Sequence, residues 1–350
     1  REAERLAGIL PAKEMIPLLM GSISKGQGML GAAGIRVPGS AGETCSDYQE
    51  SLGLAAVVMA DGPAGVRLTR SFEVDNVNGE VYDQGFLASI ENGLFEQPAK
   101  HEGTTDYYQY CTAFPVGILL AQSFDTALLE EVGRAAAEEM EEFHVSWWLA
   151  PGLNIQRNPL CGRNFEYYSE DPYVSGKIAA AITNGVQSLP GTGTTIKHLA
   201  CNNQEDNRIG SDSILSERAL REIYLRGFEI AVKESQPMCI MTSYNLINGV
   251  HAANNYDICT VAAREEWGFE GVIMTDWTTT LPECGSISHL CAKAGNDLIM
   301  PGMQLDYDDM TRAYEAGDLT DKEIRACAAR LINIILQTNA YVEAVPYGAI

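Results

Sequence analysis

Several short apolar runs in this chain end on side chains that carry charge or donate hydrogen bonds. In order they are Asp61 with Arg67 close behind, Asn154 with Arg163, Lys197-His198 with Arg208, Tyr244-Asn245, and Asp276-Trp277. Asp276 fits nucleophilic chemistry best. It follows the apolar run 271–274 and precedes Trp277, whose indole offers an apolar platform to the face of a sugar ring. A carboxylate nucleophile must stay ionised while a partly buried pocket pushes its pKa up. Lys197, Arg208 and the Tyr244 hydroxyl are the groups that would counter that desolvation. Lys197 and His198 close a strand-like run of their own. A buried ammonium there costs roughly several kcal/mol unless it is paired, and a carboxylate across the rim, such as Asp276, is the partner it requires.

Each position also has a plainer reading. Asp61 would stabilise the turn made by Gly62 and Pro63, and Arg163 would pair with Glu166 or Glu170 in the following loop. A strand-end lysine is also a known Schiff-base nucleophile, so Lys197 admits an aldolase-like barrel whose arginines hold a phosphorylated substrate. No convincing His/Asp ligand cluster stands in the sequence, so neither a metal nor a cofactor is expected.

Side chains this far apart in sequence meet only if the fold gathers strand ends, which a parallel barrel does at one rim. Strand-like runs fall at 54–60, 114–121, 147–153, 194–200, 239–243, 271–274 and 297–300, with no clear eighth. Helical spacing marks 124–143, 173–188, 217–235 and 321–339, with Asp125 and Ser216 as N-caps. The alternation predicts an α/β fold of the (β/α)8 TIM-barrel type, irregular at the missing eighth strand. A dinucleotide-binding sheet is disfavoured, because the turn at Asp61-Gly62-Pro63 lacks the GxGxxG spacing. Residues 71–111 interrupt the rhythm as an insertion that reads as a solvated loop, in which Tyr107, Tyr108 and Tyr110 would line the outer part of a site.

Composition narrows the partners. The chain has 350 residues, 46% of them hydrophobic and 20% charged, enough to build a large core. Its net charge of −23 opposes nucleic acid and anionic membranes while leaving a neutral ligand unaffected. Nine scattered cysteines suit a reducing compartment, so a cytoplasmic location is expected, and no apolar run is long enough to span a bilayer.

The strings that carry these residues are Asp61-Gly-Pro-Ala-Gly-Val-Arg67, GRNFEYYSEDPYVSG from Gly162, KHLACNNQEDNR from Lys197, SERALREIYLRGFEIAV from Ser216, SYN at Ser243 and GFEGVIMTDW ending at Trp277. On these the chain resembles the catalytic barrel of family 3 glycoside hydrolases over nearly its whole length. The resemblance implies that Asp276 forms a covalent glycosyl-enzyme. It further implies that Asp61, Arg67, Arg163, Lys197 and His198 hold the glycone hydroxyls, that Arg208 and Tyr244 flank the nucleophile, and that Trp277 lies at the leaving-group boundary.

Retaining chemistry needs a second carboxyl roughly 5–5.5 Å from the first, and no acid/base Glu is found in this chain. In similar β-glucosidases it comes from a sandwich domain. Single-domain relatives acting on N-acetylglucosamine use a KHFPGHG-like string instead, which KHLACNNQEDNR does not match. The expectation is a barrel over 1–340 with 341–350 beginning a linker to that sandwich domain, acting on a β-linked oligosaccharide or an aryl or alkyl β-glucoside. A β-xylosidase or arabinosidase is the runner-up, a sugar-binding barrel inactive without its partner domain is another reading, and an oligomer is compatible with the sequence.

Overall fold

The computed structural model describes residues 2–22, 36–82 and 100–341. Its strands are β1 (Gly21–Ser22), β2 (Gly42–Thr44), β3 (Val58–Ala60), β4 (Ser71–Asp75), β5 (Val81–Tyr82), β6 (Thr104–Tyr108), β7 (Trp147–Trp148), β8 (Gly193–Leu199), β9 (Asp212–Ser213), β10 (Cys239–Thr242), β11 (Leu246–Ile247), β12 (Val250–His251) and β13 (Val272–Met274). Seven of them form the central sheet in the order β1-β2-β3-β7-β8-β10-β13. The pairs from β3 to β13 are parallel, as the alternating pattern predicts, whereas β1–β2 and β2–β3 are antiparallel.

The expected α/β fold of the (β/α)8 type, irregular at its eighth strand, holds in part: parallel strands and covering helices form, but among the described residues the sheet is a curled, mixed half-barrel and not a closed ring. Isolated parallel bridges join Met274 to Leu298 and Ile299 to Met20, so the run expected as a strand at 297–300 contributes single pairings only. The run at 114–121 is corrected too, since it contains a helix, Gly117–Ala121. Its Leu120 and Ala121 are buried while Ile118 and Leu119 face outward, and a short apolar run does not by periodicity alone tell a buried strand from a helix turn. The insertion is likewise more ordered than a solvated loop. Phe72 and Val74 alternate inward along β4, which pairs with β5 and β6 in a separate antiparallel sheet. Residues 83–99 of the insertion, and the expected linker from residue 342 onward, lie outside the described residues.

The covering helices form where helical spacing predicts them, and their starts are capped. Asp125 accepts from the amides of Ala127 and Leu128, Asp171 from that of Tyr173, and Ser216 from that of Ala219. Helices Thr126–Glu142 and Pro172–Val186 pack closely because glycines line the contact. A Cβ on Gly133 would fall 2.3 Å from the Ile182 carbonyl oxygen, and one on Gly185 only 2.1 Å from that of Glu130. All nine cysteines are free thiols, all but Cys111 buried. Among the described residues no helix is long and apolar enough to cross a membrane.

The strand leading to Asp276 is tied down by a buried carboxylate. Asp297, fully enclosed, accepts from Arg264 Nη2 at 2.5 Å, Arg330 Nε at 2.8 Å and the Ile273 amide at 3.0 Å. Arg264 also donates to the carbonyls of Gly271 and Gly295, while Arg330 comes from helix Asp321–Ile335. Removing one member of such an array strands the others in a medium that cannot solvate them. Asp297→Ala is expected to lower unfolding stability by about 3–5 kcal/mol, read from the urea midpoint; a loss below about 1 kcal/mol would contradict this role.

Candidate active site

The parallel strands end on one rim, and the predicted side chains meet there. Asp61 follows β3, Arg163 stands in the loop after β7, Lys197 and His198 lie within β8, Tyr244 follows β10, and Asp276 and Trp277 follow β13. A cleft of about 560 Å³ opens at this rim, lined among others by Asp61, Arg67, Tyr110, Arg163, Phe165 and Glu166. Tyr110 thus lines the cleft as expected of the insertion. Tyr107 instead stacks on Phe72 across β4 and β6, with ring centroids 5.6 Å apart.

Lys197 is 3% exposed, and its ammonium sits 2.7 Å from Asp61 Oδ1. The carboxylate that satisfies it is therefore Asp61 and not Asp276, a correction to the expected pairing. Arg67 takes the other oxygen of Asp61 at 2.8 Å. Burial pushes the Asp61 carboxyl up, but Lys197 and Arg67 outweigh it, and the group ends well below the ordinary carboxylate range. The turn reading of Asp61 also holds, since its backbone bridges to Arg67 across Gly62 and Pro63.

Asp276 is buried at the end of the strand. Its Oδ1 accepts from the Trp277 amide at 2.7 Å, and its Oδ2 lies 3.6 Å from His198 Nε2. Burial raises its pKa above the ordinary value; the charges of Arg163 and Lys197, the Trp277 amide and Arg208 oppose that rise without cancelling it. The compensation expected from the cations is thus partial. The reason is visible in the pairing. Lys197 has Asp61, Arg163 donates to buried Glu166, and Arg208 holds Glu205 at 2.8 Å, so each cation already serves another carboxylate.

His198 is the inverse case. Burial, then the positive charges of Arg163, Lys197 and Arg208, push it well below the ordinary histidine value, so the ring is neutral near pH 7. Its backbone is clamped by Asn154, which accepts from the His198 amide at 2.8 Å and donates to its carbonyl at 2.9 Å.

Tyr244 stands beside Asp276 as expected, and its hydroxyl has a second partner. The Tyr244 hydroxyl donates to the Trp277 carbonyl at 2.6 Å, and the Arg208 guanidinium lies over the Tyr244 ring at 4.5 Å. Burial and the nearby Asp276 charge raise the Tyr244 phenol above its usual value, so it stays protonated. Trp277 is only 6% exposed, with its indole N–H held by the Ala41 carbonyl at 3.0 Å, so it is not the open platform expected. Tyr167, Asn202 and Glu205 were not singled out from sequence. They lie inside the GRNFEYYSEDP and KHLACNNQEDNR strings, and the signal that could have found them is the polar cluster following an apolar strand. Among the described residues no group of three or more His, Cys, Asp or Glu side chains could hold a metal ion.

The model for the glycosyl hydrolase family 3 N-terminal domain matches residues 91–334. The chain belongs to that family. A β-glucosidase 3B from Thermotoga neapolitana, solved in complex with glucose, superposes with a TM-score of 0.81 at 40% identity, covering 97% of this chain and 43% of that one. Thermostable β-glucosidase B of Acetivibrio thermocellus is 37% identical over 287 residues, 82% of this chain and 34% of its own length. An exo-α-(1→6)-L-arabinopyranosidase of Bifidobacterium breve is 43% identical over 251 residues, 71% of this chain and 32% of its own. The chain therefore spans about a third of the length of these curated relatives.

The raised pKa of the carboxyl at the end of β13 implies a stability cost for its charged form. A carboxyl whose folded pKa lies above its unfolded one destabilises whenever the pH exceeds both, and the cost fades as the pH falls through the folded pKa. Because each neighbouring cation keeps its own partner, neutralising Asp276 orphans none of them. Asp276→Asn is expected to raise the melting temperature at pH 7, with the gap closing as the pH drops toward the carboxylate range. Thermal unfolding across pH reads this directly, and a variant less stable than the native protein at pH 7 would contradict it.

Proposed function

We propose that this chain is the catalytic barrel of a retaining, exo-acting β-glycosidase that removes terminal nonreducing β-D-glucosyl residues through a covalent glycosyl-enzyme on Asp276. The observation that carries this reading is the buried carboxylate at the rim, flanked by neutral His198 and by cations engaged elsewhere. It is poorly solvated, with a pKa raised by burial and opposed by the nearby cations, and it is not tied up in an ion pair with Lys or Arg, which suits a carboxylate nucleophile.

In the first step an Asp276 oxygen bonds to the anomeric carbon as the bond from that carbon to the leaving oxygen breaks, and the leaving oxygen takes a proton from the acid/base carboxyl. In the second, water gives its proton back to that carboxyl and its oxygen to the anomeric carbon, releasing Asp276. The resemblance to family 3 β-glucosidases implies that the proton donor is a Glu on a sandwich domain of the same protein; the neighbouring carboxyls Asp61, Glu166 and Glu205 are each engaged by a cation. The glycone hydroxyls fall to Asp61, Arg67, Arg163, Lys197 and His198, with Arg208 and Tyr244 beside the nucleophile and Trp277 toward the leaving group. Without the partner domain the barrel would bind sugar and turn over weakly or not at all. The Schiff-base reading is less favoured, since the Lys197 side chain is engaged by Asp61 at 2.7 Å.

The similarity to an arabinopyranosidase favours one second reading, a glycone pocket that takes a pentopyranose. L-Arabinopyranose lacks the hydroxymethyl group of glucose and carries its C4 hydroxyl in the opposite configuration, and one polar contact to either group can decide selectivity. With the full-length protein, p-nitrophenyl β-D-glucopyranoside is expected to be hydrolysed faster than p-nitrophenyl α-L-arabinopyranoside. Asp276→Gly is expected to lower kcat by at least about 10³-fold, and a rate within about 10-fold of the native one would remove Asp276 from the mechanism.

A further inference from the structure

We infer that Tyr167 and Asn202 are positioning residues that fix His198 as the tautomer carrying its proton on Nε2, the nitrogen facing Asp276. The argument follows a chain of hydrogen bonds whose direction is set at its far end. A guanidinium can only donate, and Arg208 Nη1 donates to Glu205 Oε2 at 2.8 Å. The other oxygen of Glu205, Oε1, lies 3.0 Å from Asn202 Nδ2, and the same Nδ2 lies 2.8 Å from the Tyr167 hydroxyl. An amide NH₂ has two hydrogens, one for each of these acceptors.

The opposite amide orientation would press Asn202 Oδ1 against the Glu205 carboxylate, acceptor to acceptor. The arrangement observed avoids that clash although it leaves Asn202 Oδ1 buried without a hydrogen-bond partner among the described residues. With a lone pair of Tyr167 occupied by the Asn202 amide, its own hydrogen is free for His198 Nδ1 at 3.1 Å. A nitrogen that accepts cannot also carry the proton. The neutral ring therefore holds its hydrogen on Nε2, 3.6 Å from Asp276 Oδ2.

The consequence is a buried donor beside Asp276 where the other tautomer would set a lone pair against a carboxylate. An N–H there suits a sugar hydroxyl oxygen as an acceptor and leaves the Asp276 charge unopposed by repulsion. Tyr167 meets His198 edge-on, with centroids 6.2 Å apart and planes at 76°, so a phenyl ring would preserve the ring packing and remove the hydroxyl that links Asn202 to His198. The catalytic consequence rests on reading Asp276 as the reacting carboxylate; the tautomer does not.

The test is ¹⁵N NMR of the full-length protein labelled at histidine, with His198→Asn to assign the signals. At neutral pH the native protein should show a pyridine-type Nδ1 and a pyrrole-type Nε2 for His198. Asn202→Asp replaces the donor amide by an acceptor, draws the Tyr167 hydrogen away and should move the His198 proton onto Nδ1. Tyr167→Phe should shift Nδ1 in the same direction and raise the pH at which the ring titrates. Both should lower kcat/KM by about 10- to 100-fold. A pyrrole-type Nδ1 in the native protein, or a pyridine-type Nδ1 unchanged in both variants, overturns the inference. Because the spectrum is read without turnover, either result is separable from a failure of Asp276 as nucleophile.

Discussion

A negative charge held out of water at Asp276 is the constraint around which the rim of this protein is arranged. Burying a lone carboxylate is costly, and the usual remedy is a cation in direct contact. Here the cations stand nearby but are committed to Asp61, Glu166 and Glu205. The field at Asp276 is that of several ion pairs and not of bare cations, which lowers the cost of its charge without removing it. A carboxylate in a tight salt bridge would be a weaker nucleophile, so incomplete compensation is what the proposed chemistry requires. His198 fits the same logic: a neutral ring adds a dipole beside the carboxylate where a charged one would add a competing ion pair.

The fold supplies the rigidity that this arrangement needs. Asp276 and Trp277 continue from a strand whose backbone is gripped by Asp297 and two arginines, and the residue pair is then closed from above by the Tyr244 hydroxyl on the Trp277 carbonyl. Asn154 clamps His198 from the neighbouring strand end, and Trp277 is anchored through its indole to Ala41. None of these contacts touches the open cleft, yet together they leave the carboxylate little freedom to turn away.

Much of this was legible in the amino-acid sequence, for reasons that differ by residue. Asp61, Lys197, His198 and Asp276 could be read because each follows an apolar run, and parallel strands carry such residues to one rim whatever their separation in sequence. The pairing among them could not be read. Lys197 reaches Asp61 and not Asp276 because of the relative positions of β3, β8 and β13, a tertiary fact that no local pattern encodes. The antiparallel β1 and β2 escaped notice for want of length, two and three residues giving no alternation to detect. The run at 114–121 misled because eight apolar or small residues suit a buried strand and a half-buried helix equally, and Pro115 with Gly117 was the hint that the chain turns there. Tyr167 and Asn202 were hidden inside strings whose resemblance was clear, since their importance lies in which groups they touch.

The most direct measurement is mass spectrometry of the full-length protein after incubation with a 2-fluoro β-glucoside, which accumulates the covalent sugar on the attacking side chain. The account predicts one 2-fluoroglucosyl adduct, on the peptide containing Asp276 and on that residue within it. A stable adduct on any other carboxylate, or steady hydrolysis of β-glucosides by a protein that never acquires a label, would contradict it.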